Sequence, residues 1–255
     1  MKKFAACFVL IFCLIGQTVF AETVVPILMY HNLNNSYLPE HANVEMRPDE
    51  FREQVTTLIS AGYTPIRLYD YTDWVNGKKD LPEKPIIITF DDGYLNNYTH
   101  AFPVAKELNI PITIFIITDR MGMSDGVAYP HFTWKQAREM NESGVVDIES
   151  HTNAHSDLFL ADNKTVINEL RLSKYLIKKH LNRDANYLAF PYGNYSDFVK
   201  QQAEKAGYKA CVKIKPLAPG LNRKGDDVYE LKRLTACGGM TGQDIIDLIQ
   251  RCGDK

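Results

Sequence analysis

The stretch PIIITFDDGY, residues 85–94, decides the fold and raises the first question about chemistry. Residues 85–90 form an almost continuous apolar run, and strands that are buried on both faces of a parallel sheet have this pattern. Asp91, Asp92 and Gly93 follow at the carboxyl end of the predicted strand. A turn in which an aspartate caps the next helix is the commoner explanation of such a trio. Two adjacent carboxylates also raise each other's pKa unless a cation lies nearby, so the stretch points to a metal as well.

The same order of a short apolar run and then an amphipathic run recurs along the chain. Apolar runs that predict further strands lie at residues 25–30, 64–68, 111–118, 145–149, 187–190, 209–214 and 230–234. Amphipathic runs that predict helices lie at residues 48–61, 69–75, 98–108, 133–142, 164–181, 195–206 and 243–252. About seven or eight such units in one α/β domain favour a single (β/α) barrel over an open doubly wound sheet. In both architectures the functional site lies at the carboxyl ends of the strands.

Residues 1–21 have the features of a secretory signal peptide. Lys2 and Lys3 are basic, residues 4–15 are almost wholly apolar, and small residues stand at the third-last and last positions before a cleavage site after Ala21. The apolar run is shorter than the roughly 20 residues that span a bilayer. We therefore expect cleavage after Ala21, no stable membrane insertion afterwards, a secreted or extracytoplasmic location, and one domain formed by residues 22–255.

Composition excludes several classes of function. The 29 Lys and Arg residues nearly balance the 31 Asp and Glu residues, and no basic patch would recruit nucleic acid. Beyond residue 21 the chain has three cysteines, Cys211, Cys237 and Cys252, so at most one internal disulfide can form. The sequence does not tell whether any of them pair, and the protein is not a disulfide scaffold. We expect a monomer.

A second polar cluster, ESHTNAH at residues 149–155, follows the predicted strand at 145–149. His151 and His155 are four residues apart, so a single helical turn would point both imidazoles the same way. Two solvent-facing histidines on a helix would show the same spacing. Both histidines nevertheless follow a strand end, as the two aspartates do. One carboxylate with two imidazoles is a known metal-binding set, although the spacing leaves open which aspartate takes part.

Together, TFDDG at residues 89–93 and HTNAH at residues 151–155 closely resemble the first two motifs of the polysaccharide deacetylases, the NodB-like carbohydrate esterase family 4. Further segments follow in the order seen in secreted members: ILMYH, RPDEF, LPEKPIIITFDDGY, PITIFI, FTWKQAREM and FPYGNYS. The resemblance therefore covers nearly all of residues 22–255, which would form the catalytic domain. It implies a NodB-like, distorted (β/α) barrel of about seven units.

The resemblance also implies roles for individual residues. Asp91 would be the general base, and a divalent metal would be held by Asp92, His151 and His155. Zinc is the first expectation for that metal, and the same ligand set accepts cobalt, nickel or iron. The third motif is matched by Ala189-Phe190-Pro191-Tyr192. The backbone N–H of Tyr192 would help to hold the oxyanion, and Pro191 and Tyr192 would shape the substrate groove.

The chain departs from the common family pattern at two places. Ala189 stands where many members have an arginine that pairs with the catalytic aspartate, so the sequence leaves open what orients Asp91. No histidine follows His180, although many members take their general acid from a late histidine. An early Tyr-His motif supplies that acid in relatives that look circularly permuted, including poly-N-acetylglucosamine deacetylases. ILMYHNL resembles this variant and gives the role to His31.

Four histidines have no place in this pattern, and we expect them on the surface or in loops: His41, His100, His131 and His180. The function that the resemblance implies is metal-dependent hydrolysis of acetamido groups on an N-acetylglucosamine-containing polysaccharide. An O-acetyl esterase acting on a glycan and a carbohydrate-binding pseudoenzyme are the alternatives. The sequence does not identify the glycan, because the loop at residues 34–46 that could select it contains no recognisable specificity motif.

Overall fold

Eight short strands form a single parallel sheet that curls into a barrel. The computed structural model describes residues 22–214 and 220–253. The barrel strands are β1 (Ile27–Tyr30), β2 (Pro85–Phe90), β3 (Ile112–Ile116), β4 (Val146–Ser150), β5 (Tyr187–Ala189), β6 (Ala210–Lys213), β7 (Leu231–Lys232) and β8 (Leu234–Thr235). Their order in the sheet is β7-β6-β5-β4-β3-β2-β1-β8. Every neighbouring pair is parallel, as continuously apolar strands predict.

The two ends of the sheet belong to one stretch of chain. β7 pairs with β6, β8 pairs with β1, and only Arg233 separates β7 from β8. The interrupted strand at residues 231–235 therefore closes the barrel, which has seven strand positions around its ring. The prediction of a single α/β barrel of about seven units is confirmed.

Helices surround the barrel and alternate with its strands. They are α1 (Pro48–Ser60), α2 (Leu68–Val75), α3 (Phe102–Leu108), α4 (Trp134–Glu142), α5 (Asn163–Leu181), α6 (Asp197–Lys205) and α7 (Gly242–Gly253). One π-helical turn (Asn97–Ala101) precedes α3, and 3-10 turns occupy Pro39–His41, Thr118–Arg120, Pro191–Gly193 and Val228–Glu230. Short strands outside the barrel pair Val24–Val25 with Asn222–Arg223 and Asn32–Leu33 with Glu45–Met46.

Apolar side chains form two cores, because successive residues of a strand point to opposite faces. In β2, Ile86 and Ile88 belong to the large core beneath the outer helices, and Ile87 belongs to a smaller core. The smaller core also contains Phe115 and the apolar side of α2. Burial on both faces explains why the strands read as continuous apolar runs.

Two predicted strands are corrected, and one histidine is more buried than its loop position suggests. The strand predicted at residues 64–68 is limited to Thr64–Pro65, because Asp70 accepts a hydrogen bond of 2.9 Å from the N–H of Arg67 and starts α2 at Leu68. The strand predicted at 230–234 is interrupted by Arg233. His131 lies in a loop, one of the two expected places, but it is buried there, with 4% of its surface exposed.

Other sequence features lie partly outside what the structure describes. The signal peptide predicted at residues 1–21 lies outside the described residues. Within the described ranges, no helix combines the length and the apolar character needed to cross a membrane. Cys211, Cys237 and Cys252 all carry free thiols.

Candidate active site

Asp91 and Asp92 lie directly after β2, at the end of the barrel where the site was expected. The N–H of Asp91 donates to the carbonyl of Tyr30 at 3.0 Å, which extends the pairing with β1 by one residue. Asp92 and Gly93 then take left-handed conformations, with φ of 70° and 78°. A Cβ on Gly93 would lie 3.0 Å from the side chain of Ile116, so this turn needs glycine. Both carboxylates approach the imidazole of His151, whose Nε2 atom lies 3.9 Å from Oδ2 of Asp91 and 3.6 Å from Oδ1 of Asp92.

His151 and His155 follow β4, and the segment between them is not the helical turn that their spacing would allow. Residues 151–157 form an irregular loop in which Thr152 and His155 have positive φ. The buried carboxylate of Glu169, from α5, accepts hydrogen bonds of 2.8 Å from the N–H groups of Asn153 and Ala154. This long-range contact shapes the loop and brings the two imidazoles together, with 3.1 Å between their Nε2 atoms.

Asp92, His151 and His155 offer three metal-ligating atoms that face a common point. The Oδ1 atom of Asp92 lies 3.6 Å from Nε2 of His151 and 3.5 Å from Nε2 of His155. Tetrahedral zinc with ligands at about 2.1 Å places those ligands about 3.4 Å from one another, close to these separations. The Nδ1 atom of His151 lies 2.8 Å from the carbonyl oxygen of Ala189, which accepts a hydrogen bond from it. The other ring nitrogen, Nε2, can then bind a metal. These residues therefore fit a divalent ion.

The electrostatic environment favours the metal-binding forms of His155 and Asp92. Burial and the neighbouring His151 lower the pKa of His155 to about 4, so its imidazole is neutral at pH 7. Burial opposes the charge on Asp92, but the imidazoles of His31, His151 and His155 outweigh it and lower the pKa of that carboxyl. A neutral imidazole and an ionised carboxylate are the forms that bind a metal.

Arg233 is a residue of the candidate site that the sequence motifs did not reveal. Its Nη1 and Nη2 atoms donate hydrogen bonds of 2.7 Å and 2.6 Å to Oδ1 and Oδ2 of Asp91. Burial would raise the pKa of Asp91, but the guanidinium of Arg233 and the nearby imidazole of His151 hold it well below its usual range. Arg233 thus pairs with Asp91 where Ala189 cannot. No motif marks this arginine, because it is separated from Asp91 by more than half of the chain.

His31 follows β1, and its imidazole faces the same carboxylate oxygen of Asp91 that Arg233 Nη2 binds. Its Nε2 atom is 4.0 Å from Oδ2 of Asp91, and its side chain is 15% exposed. The side-chain amide of Asn97 donates to the carbonyl of His31 at 2.7 Å and fixes the backbone there. The candidate base, Asp91, and the candidate acid, His31, are therefore close to each other.

Pro191 and Tyr192 form a tight turn after β5. Tyr192 has a φ of 59° and is 62% exposed, and its ring packs edge-on against His155 with centroids 4.7 Å apart. Gly193 follows, where a Cβ would lie 2.4 Å from the carbonyl oxygen of Ile214. The turn therefore holds Tyr192 at the rim of the metal-ligating cluster.

A cavity of about 640 Å³ opens at this cluster. Every predicted site residue except Pro191 lines it, and Arg233 lines it as well. Val44 and Leu248 add an apolar wall. Its volume is typical of small-molecule sites, which range from about 300 to 1,000 Å³.

The fold and the site define a class of barrel enzyme, and comparison with known proteins gives its family. A profile of the polysaccharide deacetylases matches residues 78–211, and this chain belongs to the polysaccharide deacetylase family. The matched range contains Asp91, Asp92, His151, His155 and Pro191. The family resemblance read from the sequence motifs is therefore confirmed.

Individual relatives agree with this assignment. The protein YxkH of Bacillus subtilis (strain 168), whose name assigns it to the polysaccharide deacetylases, is 30% identical over 218 residues, 86% of this chain and 73% of YxkH. A poly-β-1,6-N-acetyl-D-glucosamine N-deacetylase of Staphylococcus aureus is 28% identical over 178 residues, 67% of this chain and 61% of that enzyme. The deacetylase PplD of Streptococcus pyogenes, solved with acetate, superposes with a TM-score of 0.79 at 27% identity, covering 89% of this chain and 98% of PplD.

Proposed function

We propose that this protein is a metal-dependent polysaccharide N-deacetylase that removes acetyl groups from an N-acetylglucosamine-containing glycan outside the cytoplasm. The observation that carries the proposal is the metal-ligating trio of Asp92, His151 and His155, whose ligand atoms lie within 4.8 Å of one another beside the ionised Asp91. An unligated carboxylate next to a metal site is the arrangement that hydrolysis needs.

Four groups of this chain divide the work of hydrolysis. A divalent ion held by the trio would lower the pKa of a bound water toward about 7 and polarise the acetamido carbonyl. Asp91 accepts the proton that the attacking water loses. The backbone N–H of Tyr192 donates a hydrogen bond to the carbonyl oxygen as that oxygen gains negative charge. Protonated His31 gives its proton to the nitrogen as the C–N bond breaks, and acetate and a free amine leave.

Arg233 is a positioning residue in this scheme. Its two hydrogen bonds fix the orientation of the Asp91 carboxylate. Each oxygen keeps a lone pair that can accept a proton from the attacking water. The charge of Arg233 also keeps Asp91 ionised at neutral pH, as a base must be. It takes the part that the resemblance assigns to an arginine at position 189.

The substrate proposal draws on the names of relatives. The staphylococcal relative is named for poly-β-1,6-N-acetyl-D-glucosamine, and PplD was solved with acetate, the product that deacetylation releases. Poly-β-1,6-N-acetylglucosamine is therefore the first substrate to test. Chitin oligomers and peptidoglycan carry the same 2-acetamido group. O-acetyl ester hydrolysis and carbohydrate binding without turnover remain the competing functions.

The decisive experiment expresses residues 22–255, removes metal with a chelator and restores zinc, cobalt, nickel or iron in turn. Acetate release is then measured on β-1,6- and β-1,4-linked N-acetylglucosamine oligomers, peptidoglycan and O-acetylated xylan. We expect no release without metal and release from at least one N-acetylated glycan after reloading. The variant His151→Ala should lose both metal and activity, and His180→Ala, a histidine outside the cavity, should keep both.

Each competing function has its own outcome in this assay. Full activity after metal removal would refute metal dependence. Release from O-acetylated xylan alone would make the protein an esterase. No release with any metal, together with glycan binding, would make it a binding protein.

A further inference from the structure

The loop that carries His151 and His155 holds two residues in a strained backbone conformation. Thr152 and His155 have φ of 68° and 61°, in the left-handed region. Residues with a Cβ atom are disfavoured there, and β-branched residues such as threonine most of all. Thr152 is also fully buried. The loop can keep this conformation only if contacts with its surroundings stabilise it.

Glu169 binds the segment that lies between and just beyond the two strained residues. The N–H groups of Asn153 and Ala154 both donate to its Oε2 atom at 2.8 Å. Its Oε1 atom accepts a hydrogen bond of 2.9 Å from the hydroxyl of Ser156. The N–H groups of the strained residues themselves donate to hydroxyl oxygens within residues 150–152, at 3.1 Å each. Three of the four residues at 153–156 are thus held by one carboxylate from a distant part of the chain.

The carboxylate of Glu169 is itself held in a fixed position. Glu169 is 4% exposed and lies in the first half of α5, and its neighbours Val166 and Leu170 are buried in the large core. A buried carboxylate is costly unless it is hydrogen-bonded, and hydrogen bonds to a charged group are the stronger ones. The loop supplies three such bonds, so the conformation of the loop and the burial of Glu169 stabilise each other.

The opposite side of the loop rests on the 3-10 turn Thr118–Arg120. The first two N–H groups of this turn donate to the carbonyls of Thr152 and Asn153 at 3.3 Å and 3.0 Å. The turn therefore binds carbonyl groups of the loop, whereas Glu169 binds N–H groups. Without Glu169 these N–H groups would lose their acceptor, and the turn offers no replacement for it.

The position of His155 depends on these contacts. His155 lies between Ala154 and Ser156, both of which donate to Glu169, and its Nε2 atom is 3.1 Å from Nε2 of His151. If the bonds to Glu169 were lost, the backbone could relax to a less strained conformation in which the imidazoles separate. A metal would then have to restore the strained loop as it binds, and that cost would appear as weaker metal affinity.

We propose that Glu169 is a positioning residue that sets the metal affinity of the site, because it holds residues 153–156 in the conformation that brings His155 to His151. This inference rests on the metal dependence in the proposed function and adds to it a residue that does not line the active-site cavity. Helix α5 thereby takes part in metal binding from behind the loop.

The test measures the dissociation constants of zinc and cobalt for residues 22–255 after metal removal. Glu169→Met is close in size but has no acceptor, so metal affinity should fall by about 10- to 100-fold, as is typical when the support of a metal ligand is removed. Glu169→Gln keeps an acceptor oxygen and loses only the charge, so it should weaken binding by about 3- to 10-fold. The absorption spectrum of bound cobalt reports its coordination geometry and should change in Glu169→Met.

Asp162→Ala is the matched control. Asp162 caps the same helix by accepting a hydrogen bond of 2.7 Å from the N–H of Thr165. Its removal should lower the thermal stability of the protein and leave both dissociation constants unchanged. An equal loss of metal affinity in Asp162→Ala would overturn the inference, because general loosening of α5 would then explain the effect.

Wild-type metal affinity in both Glu169 variants would also overturn the inference. If Glu169→Met does not fold, Glu169→Gln decides alone. A wild type that binds zinc but releases no acetate would refute the proposed function, and the dissociation constants would still decide the role of Glu169. A wild type that binds neither zinc nor cobalt would refute the inference, and acetate release without metal would refute metal dependence as well.

Discussion

Replacing Arg233 by lysine tests how the base is held. Arg233 is 2% exposed, and its guanidinium forms two parallel hydrogen bonds with Asp91, of 2.7 Å and 2.6 Å. Lysine keeps the positive charge but has one ammonium group on a flexible stem. It therefore cannot form the two parallel hydrogen bonds that fix the orientation of the carboxylate. Arg233→Lys should therefore leave Asp91 charged but poorly oriented.

The expected loss follows from the missing bond. A hydrogen bond between charged groups contributes about 1.5 to 3 kcal/mol, which corresponds to roughly a 10- to 100-fold decrease in kcat/KM. Metal content should remain that of the wild type, because Asp92, His151 and His155 are unchanged. Arg233→Met removes the charge as well and leaves a buried carboxylate unpaired, so it should destabilise the fold by about 3 to 5 kcal/mol.

The assay measures acetate release, bound metal and thermal unfolding on the same preparations. Arg183→Lys is the control, since the partly exposed Arg183 pairs with the buried carboxylate of Glu149 and does not line the active-site cavity. It should lower stability without lowering turnover. An Arg233→Lys protein with wild-type kcat/KM would refute the positioning role, and one that loses metal along with activity would show that Arg233 supports the metal site instead.

Three further predictions concern the base, the acid and a remote carboxylate. Asp91→Asn should lower kcat by about 10²- to 10⁴-fold with metal content unchanged, and loss of metal by elemental analysis would sink the assignment of Asp91 as base. His31→Ala should slow hydrolysis of an N-acetyl sugar far more than that of an activated acetyl ester, whose leaving group needs no proton; equal losses would indicate a structural histidine. Glu230 accepts hydrogen bonds from Lys200 and Lys213, which lower its pKa from 4.5 to about 2. Because the pKa is lower in the folded state, the stabilisation is present above pH 4.5 and is lost as the pH falls toward 2. Glu230→Gln should thus be less stable than wild type by about 1 to 2 kcal/mol at pH 7 after solvent screening, and equally stable near pH 2, in denaturant titrations.

Local patterns in the sequence predict most of the fold. Residues 85–90 form β2 over the full predicted range, because the apolar run, the preceding lysine and the following aspartates mark both ends. Helix starts are equally local: Thr133, Asp162 and Ser196 each cap a helix through a side-chain oxygen. Errors arise where a long-range contact decides the local conformation.

In the candidate site, too, local sequence patterns predict some features and long-range contacts decide others. Motif residues lie next to strand ends, so adjacency in sequence predicts that they meet at one end of the barrel. The conformation of residues 151–157 was not predictable from the sequence of that segment alone, because hydrogen bonds to Glu169 on α5 shape it. The burial of His131 was equally hidden, because it depends on packing against Tyr94, which follows a different strand.

Ring closure explains why an arginine can be absent at position 189 and present at position 233. Asp91 follows β2, and His31 follows the neighbouring strand β1. β1 also pairs with β8, which begins directly after Arg233. Ala189, on β5, lies three strands from β2 in the other direction. Its carbonyl still accepts the N–H of His151, so the position keeps its backbone contact with the metal-ligating cluster while its side chain carries no charge.

Both departures from the common motifs therefore fall on one side of Asp91. The proposed acid and the arginine come from the β8–β1 side of the ring, and the two histidines of the candidate metal site follow β4, on the opposite side. A linear motif search treats a missing arginine and a missing late histidine as two separate losses. In a closed barrel the first and last strands are neighbours, so residues at the two ends of the chain can supply both groups to the same carboxylate. We therefore expect the substitutions at His31 and Arg233 to be coupled through Asp91, and a double variant should lose less activity than the product of the two single losses.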